Sequence, residues 1–428
     1  MGKLALHWQM LIAMLLGALL GLALNAGLLP ALPWLSGSLD LLAQLFMNGL
    51  RLLVLPLVVS SMIVGVSRID HGLGRLGGWT LLYYLASSTA AILVGLFFVN
   101  LLSPGLIGGV PAGELIALPA DAGALMAKVE GRSAGDMTQL FLSMLPPNLV
   151  SAATEGNLLG LIVFSLLYGT FLGRLPEAQR APQLAFWEGV QAIMLNIAQL
   201  FLRAAPLGVF ALLANVLART GFAAMAPMAW FFLAVLAALL FHLFVVLSLL
   251  LWKVAKVSPP RHLQAMLPAL FTAFSTASSN ATLPVTLRCL RERAGVSDRV
   301  SGMTVPLGAT INMDGTALYE CAAVLFLAQA YGVDLSLAQQ VMVVIVALVT
   351  SIGVAGIPAA SLVAIAIILG AVGLPLEAIG LLLITDRLLD MCRTAINVYS
   401  DSVAAVFVAR REGEALPALR GSQGPSQE

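Results

Sequence analysis

Charge is what this chain has least of. Lys, Arg, Asp and Glu make up 10% of its 428 residues, against about 25% in a soluble domain, which excludes an ordinary water-soluble fold. A basic excess is missing too. The formal net charge is +1, and no cluster of Lys and Arg offers a footprint for nucleic acid. Cysteine is rare: Cys289, Cys321 and Cys392 lie in or beside apolar segments, without metal-site spacing or a disulfide framework. They read as small core residues. The four histidines, His7, His71, His242 and His262, are scattered, which leaves zinc chemistry and a histidine-based triad without support.

Apolar sequence is what the chain has in plenty. Hydrophobic residues account for 60%, and runs of transmembrane length recur at 9–29, 41–66, 80–102, 184–217 and 222–252. This is the pattern of a polytopic membrane protein. No convincing small-residue cleavage site follows the first run, which therefore reads as the first membrane helix. Lys3, Arg68 and Arg75, Arg174 and Arg180, Lys253, Lys256 and Arg261, Arg288 to Arg299, and Arg410 and Arg411 fall in every second connection. The other connections hold little beyond Lys128, Arg132 and Arg219. The positive-inside rule then puts both termini in the cytoplasm. The polar, Gly- and Pro-containing composition of 411–428 predicts a disordered tail.

Beyond residue 255 the simple pattern breaks. In 267–290 an apolar run is interrupted by Ser275, Thr276, Ser278, Ser279, Asn280 and Thr282, then Pro284. In 341–375 two apolar halves flank Ser351, Gly353, Gly356 and Pro358. Each half is too short to cross a bilayer comfortably, and such breaks survive at membrane depth only when buried in protein or lining a wet cavity. Two re-entrant hairpins satisfy that condition, and a pair of kinked ordinary helices is the alternative. Each hairpin is followed by a helix bearing polar residues, the trace of an internal repeat with broken helices and a midplane binding site.

The helix after the first hairpin contains "GATINMDGTALYECAA". Its Asn312, Asp314 and Glu320 are costly in an apolar helix unless partnered. Gly315, with Asn and Asp beside it, invites local unwinding. Unwound carbonyls next to a carboxylate make a hard-oxygen site suited to Na+. Further on, "DRLLDMCRTAINVYSD" places Asp386, Asp390, Arg393, Asn397 and Asp401 at about 0°, 40°, −20°, 20° and 60° around a helix, one arc of roughly 80°. Thr394 sits at the edge of this stripe, and Arg387, at about 100°, points away. A narrow polar face on an apolar helix belongs in the protein interior. Internal salt bridges between Asp390 and Arg393 are the bland reading, but they would not require Asn397, Thr394 and three carboxylates on one stripe.

"SSNATLP", "GATINMDGT", "SIGVAGIP" and "DRLLDMCRTAINVYSD", in that order, resemble the dicarboxylate/amino acid:cation symporter family, which includes the glutamate and aspartate transporters. The likeness runs from about residue 8 to 410. It implies an all-α membrane protein of eight transmembrane helices and two re-entrant hairpins with an internal inverted repeat. Scaffold helices 1 and 2 would span 8–78, helix 3 of the transport domain 79–108, and scaffold helices 4 and 5 140–218. The rest of the transport domain would span 222–410, with hairpin 1 at 258–291, helix 7 at 299–331, hairpin 2 at 336–373 and helix 8 at 376–410. The scaffold would form a homotrimer, and the transport domain would carry substrate by an elevator-like slide.

Residue roles follow from the resemblance in the same way. Arg393, helped by Thr316, would clamp the substrate's side-chain carboxylate, as a planar fork suits. Asp390 would take the amino group, and Thr394 and Asn397 the α-carboxylate. The backbone around Ser278 and Ser279, and that of Ala355, Gly356, Ile357, Pro358 and Ser361, would close the site. One Na+ site would use carbonyls of Gly308, Asn312 and Asn397 with the Asp401 carboxylate. A second would use Thr310, Ser351, Ile352 and Val354, and a third Tyr84, Ser87, Ser88, Asn312 and Asp314. Ala277 stands where some members have an arginine pairing with helix 8, a charge that Arg387 would have to supply. Glu320 is the proton-carrier candidate.

The expected activity is Na+-coupled import of L-glutamate or L-aspartate across a bacterial inner membrane, with H+ also coupled, no enzymatic role and no organic cofactor. A C4-dicarboxylate symporter or an H+-only glutamate symporter of the same fold is the alternative. Asp390 would repel a substrate without an amino group, and retention of Asp401 favours Na+. A neutral amino acid would leave Arg393 a buried charge without its partner. An intramembrane aspartyl protease on Asp386 and Asp390 is disfavoured because both lie on one helix. An ion channel is the remaining reading, and saturable Na+-dependent uptake would exclude it. The "NAT" at 280–282 matches a glycosylation sequon but sits at a hairpin tip.

Overall fold

The computed structural model describes residues 6–30, 32–67, 74–115, 142, 144–154, 158–351, 361–375 and 379–419. Helix dominates them, because Leu, Ala and Met runs favour helix and a bilayer admits no unpaired backbone. The first half holds α1 (Leu6–Asn25), α2 (Pro33–Ser67), α3 (Gly74–Leu102), α4 (Leu158–Gly173) and α5 (Glu177–Thr220). α6 (Met225–Phe241) runs on through two π-helical turns, His242–Leu247 and Leu250–Ala255. One two-stranded antiparallel pair, Leu106–Ile107 with Val110–Pro111, follows α3, a small departure from an all-helical expectation.

Among the described residues, five helical stretches are long and apolar enough to cross a membrane: Trp8–Asn25, Arg75–Leu102, Glu177–Phe201, Met225–Ala255 and Asp298–Ala330. Leu15, Leu19, Phe97, Leu101, Phe186 and Leu200 stand more than half exposed on such helices, an apolar surface that lipid covers. With 44 residues, α5 is about 66 Å long, roughly twice the hydrocarbon thickness. It includes the whole apolar run 184–217.

The second half carries the breaks. α7 (Pro259–Thr276) and α8 (Ser279–Cys289) pack against each other as a hairpin. Ser258 and Pro259 start it, a cap position followed by a proline that needs no N–H donor. Ala277, in left-handed backbone at φ 49° and ψ 41°, ends α7, and the Ser278 hydroxyl caps α8 by accepting from Ala281 N. α9 (Asp298–Ile311) and α10 (Asp314–Ala330) are one helix broken at Asn312 and Met313, whose ψ values are 90° and 62°. α11 (Leu337–Ser351) and α12 (Ser361–Val372) pack together on either side of 352–360. α13 (Ile379–Arg411) is continuous and buried along much of its length.

α1 and α2 lie along α5, and α2 also against α4. α3, α6, α7, α9 and α10 all pack on α13, and α10 also meets α3, α11 and α12. The main core accordingly sits around α10, where Ala317 to Leu327 are buried on every side.

The end of the chain corrects the expectation of a disordered tail from 411. Residues 412–419 fold back under the hairpin, with Leu416 and Leu419 buried and Pro417–Leu419 in a 3₁₀ turn. Ser258 N donates to Leu419 O at 2.9 Å, and Glu414 accepts from Ser297 N at 3.0 Å. Two buried leucines and satisfied backbone groups hold a segment whose composition reads as polar. Residues 420–428 lie outside the described residues, as do Lys3, Arg68, Lys128 and Arg132 of the charge pattern.

Candidate functional site

The unwound turn at Asn312 and Met313 frees helical backbone in the middle of the core, and three side-chain clusters gather around it. The first centres on Asp314. Its Oδ1 accepts from Ser88 Oγ at 2.8 Å and Ser87 Oγ at 3.1 Å, both on α3. Its Oδ2 accepts from Ser400 Oγ at 2.6 Å on α13 and lies 3.0 Å from His242 Nε2. Asn312 Oδ1 also faces the two serines, at 3.3 and 3.4 Å. Ser87, Ser88, Asn312 and Asp314 are thus brought together. Tyr84 is adjacent, but its hydroxyl donates to Thr304 O at 2.6 Å.

The second cluster joins Gly308, Asn312 and Asp401. Asn312 Nδ2 donates to Asp401 Oδ1 at 3.0 Å and Ser400 Oγ at 3.1 Å. Gly308 lies so near the Asp401 carboxylate that a methyl group there would collide with it. Asn397 turns elsewhere: its Oδ1 accepts from Gly315 N at 2.8 Å and its Nδ2 donates to Thr316 Oγ1 at 3.0 Å. It caps the start of α10, and Thr316 meets Asn397 here.

The third cluster lies one turn back along α13. Arg393 is fully buried, and its Nη2 donates to Asp386 Oδ1 and Asp390 Oδ1, each at 3.0 Å. Its guanidinium carbon stands 3.8 Å over the Tyr319 ring, a cation–π contact. Arg393 Nε and Nη1 have no hydrogen-bond partner among the described residues. The Thr394 hydroxyl donates to Asp390 O at 2.8 Å. Arg387 does not point away as its helical angle predicts. Its side chain is 10% exposed, with Nη1 3.5 Å from Asp390 Oδ2. A long arginine reaches an i+3 neighbour across the helix face.

Glu320, fully buried on α10, accepts from Thr350 Oγ1 at 3.3 Å through Oε2, while Oε1 has no partner among the described residues. Of the second expected cation set, Thr310 and Ser351 are described, each with its hydroxyl donating to its own helix, to Leu307 O and Leu348 O. Ile352, Val354, Ala355, Gly356, Ile357 and Pro358 lie outside the described residues. Ser361 is buried with no partner for its hydroxyl among the described residues, and Ser279 is buried at the tip of the first hairpin beside the half-buried Ser278.

Four participants escaped sequence reasoning: His242, Ser400, Tyr319 and Thr304. His242 had a usable signal, since an ionisable residue within an apolar run is a functional candidate by default. Tyr319 and Thr304 had none.

Asp314, Glu320, Asp386, Asp390 and Asp401 are all buried, and among the described residues Arg393 is the one fully buried guanidinium opposite them. An excess of carboxyl groups in low dielectric draws cations. Backbone unwound inside an apolar bundle beside such groups is the construction of a membrane transporter. The model of the sodium:dicarboxylate symporter family matches residues 6–411, and the chain belongs to that family. It is 34% identical over 413 residues to the proton/glutamate-aspartate symporter of Escherichia coli (strain K12), covering 96% of this chain and 93% of that one. It is 32% identical over 416 residues to the proton/sodium-glutamate symport protein of Geobacillus stearothermophilus, covering 97% and 96%. Excitatory amino acid transporter 3 of Mus musculus is 33% identical over 417 residues, covering 86% and 78%.

Proposed function

We propose that this protein is a secondary active symporter that imports L-glutamate or L-aspartate together with Na+. The observation that carries the reading is Arg393: a fully buried guanidinium whose Nε and Nη1 have no partner among the described residues, beside the Asp390 carboxylate on one helix. Its open N–H groups require an acceptor, which a carboxylate supplies in matching planar geometry, and Asp390 suits an ammonium group. An acidic amino acid brings both. The three relatives above carry glutamate, aspartate or excitatory amino acid in their names, which supports the same substrate class.

In this reading Arg393 and Thr316 hold the side-chain carboxylate, Asp390 the ammonium, and Thr394 and Asn397 the α-carboxylate. The tips near Ser278 and Ser361 close the site. Na+ travels as co-substrate on the oxygen sets built around Asp401 and Asp314, and on the second expected set at Thr310 and Ser351. Glu320 carries H+, a role supported by its burial and by an Oε1 with no partner among the described residues. The packing of α1, α2, α4 and α5 on one another, and of the remaining long helices around α10 and α13, supports a scaffold distinct from an elevator-type transport domain; the family resemblance adds that the scaffold forms a homotrimer. Eight membrane helices and two hairpins, both termini cytoplasmic in an inner membrane, complete the proposal, with no catalytic residue assigned.

Uptake of labelled L-aspartate and L-glutamate into proteoliposomes tests it, under an inward Na+ gradient, under a pH gradient alone, and with excess succinate. Uptake driven by Na+ and little affected by succinate is the expected result. Uptake driven by pH alone, or abolished by succinate, would replace it with an H+-coupled or C4-dicarboxylate symporter.

A further inference from the structure

Two turns in this chain are twins. "LWKVAKVS" at 251–258 and "LRERAGVS" at 290–297 share Leu, Ala, Val and Ser at the same places. Each runs through a π-helical turn, Leu250–Ala255 and Leu290–Ala294, into a left-handed residue, Lys256 at φ 54° and Gly295 at φ 75°. Val257 N then donates to Leu251 O at 3.1 Å, and Val296 N to Leu290 O at 3.0 Å. The Leu, Ala and Val of both turns are buried. In each the serine opens the next helix, Ser258 ahead of α7 and Ser297 ahead of α9. One twin is thus the entry to hairpin 1 and the other its exit.

The first N–H groups and last carbonyls of a helix need partners from outside it, and here one segment supplies them. Ser258 N donates to Leu419 O at 2.9 Å. Ser297 N donates to Glu414 Oε2 at 3.0 Å and Ser297 Oγ to Oε1 at 2.5 Å, which sets a carboxylate at the positive end of α9. Ala255 O, where the second π turn of α6 ends, accepts from Arg410 Nε at 3.0 Å, and Arg410 Nη1 donates to Glu414 O at 2.8 Å. Leu416 and Leu419 enter the apolar cluster that holds Leu251, Ala269, Cys289 and Leu290. The arm so held covers α13 next to Asp401: His262 of α7 is fully buried, its Nε2 2.9 Å from the hydroxyl of Ser402.

We propose that Arg410 and residues 412–419 form a latch that holds hairpin 1 against α13 by both of its feet. Docked, the latch makes parting the base of the hairpin cost the contacts of both twins together. Undocked, it gives three helix ends back to water and frees α7 from α13, which opens the Asp401 cluster from that side. Glu414 is the catch, since its carboxylate grips the exit twin by two bonds while the main chain of Leu419 holds the entry twin. The latch goes beyond the transport reading, because the chain's own C-terminal segment sets it whatever solute the bundle carries.

Two native thiols test it. Cys289 is buried in the cluster that the latch closes, whereas Cys321 is fully buried on α10 in the other main cluster. N-ethylmaleimide labelling of the purified full-length protein in detergent, read at each cysteine by peptide mass spectrometry, separates opening of the hairpin base from loss of the fold. Glu414→Ala should speed labelling of Cys289 at least about fivefold and leave Cys321 unchanged. Glu414→Gln, which keeps an acceptor oxygen for Ser297, should recover part of the protection. A Cys289 rate in Glu414→Ala within about twofold of the unsubstituted protein overturns the latch, and so does equal acceleration at Cys321. If Glu414→Ala does not fold, hydrogen exchange of the unsubstituted protein in mild denaturant decides. The amides of Ser258 and Ser297 should lose protection together with 412–419 and before the α10 core. Amides that are never protected, or that open only with that core, overturn the latch equally.

Discussion

Replacing Gly308 by alanine puts a methyl group where three helices converge. A Cβ there would lie 2.6 Å from Asp401 Cγ and 2.7 Å from Tyr84 Oη, against about 3.5 Å or more for atoms in comfortable contact. Neither neighbour has slack. Tyr84 Oη is tied to Thr304 O at 2.6 Å, and Asp401 Oδ1 to Asn312 Nδ2 at 3.0 Å. The carboxylate must therefore move by about 1 Å to make room. Overpacking of this kind costs about 1–3 kcal/mol. Charged to the ion-bound state, that is about a fivefold to hundredfold loss of Na+ affinity, at roughly tenfold per 1.4 kcal/mol. The assay is initial uptake of L-aspartate into proteoliposomes across a series of external Na+ concentrations. Half-saturating Na+ should rise at least about fivefold, while KM for substrate at saturating Na+ changes by less than about twofold. A folded Gly308→Ala protein with the unsubstituted Na+ response would refute the assignment of Asp401 and the Gly308 backbone to a cation site.

Glu320→Gln keeps a side chain that accepts from Thr350 but holds no exchangeable carboxyl proton. Substrate-linked proton uptake, followed with a pH-sensitive dye in the vesicle lumen, should vanish while Na+-driven uptake persists, and unchanged proton uptake rules Glu320 out as carrier. Gly315→Ala would set a Cβ 2.7 Å from Arg393 O and 3.0 Å from its Cα. Both are backbone atoms, so α10 and α13 must part, at a cost of about 1–3 kcal/mol. The thermal unfolding midpoint in detergent should fall, and an unchanged midpoint contradicts the packing. Leu416→Ser with Leu419→Ser removes both apolar anchors of the C-terminal segment, at about 2 kcal/mol each. Limited proteolysis should then cut near 412–419, and equal resistance would mean that the segment is held in some other way.

Much of the local architecture was legible because it obeys short-range rules. The 3.6-residue period placed Asp386, Asp390, Arg393, Asn397 and Asp401 on one arc, and all five are buried. "NMDG" announced the break between α9 and α10, since Asn, Asp and Gly each weaken helix at one spot. The polar run from Ser275 to Thr282 marked the break between α7 and α8, where the Ser278 hydroxyl is the cap. The tail misled for a similar reason. Composition averages over a window, while two leucines, Leu416 and Leu419, are enough to pin eight residues against the hairpin. Arg387 misled because a helical wheel locates Cα atoms and ignores the reach of a long side chain.

By itself, then, the sequence determined the solvent, the helical segments, the places where they break and the polar stripe of α13. These depend on residue type and on neighbours within a few turns. Which groups meet was decided by the tertiary structure alone. His242 and Asp314 are 72 residues apart, Ser87 and Asp314 227, and Tyr84 and Thr304 220. No local period connects such pairs. They join because α3, α6, α9 and α13 pack around one unwound turn, and because a buried polar group in so apolar a core is costly unless neighbours from other helices offer it a hydrogen bond.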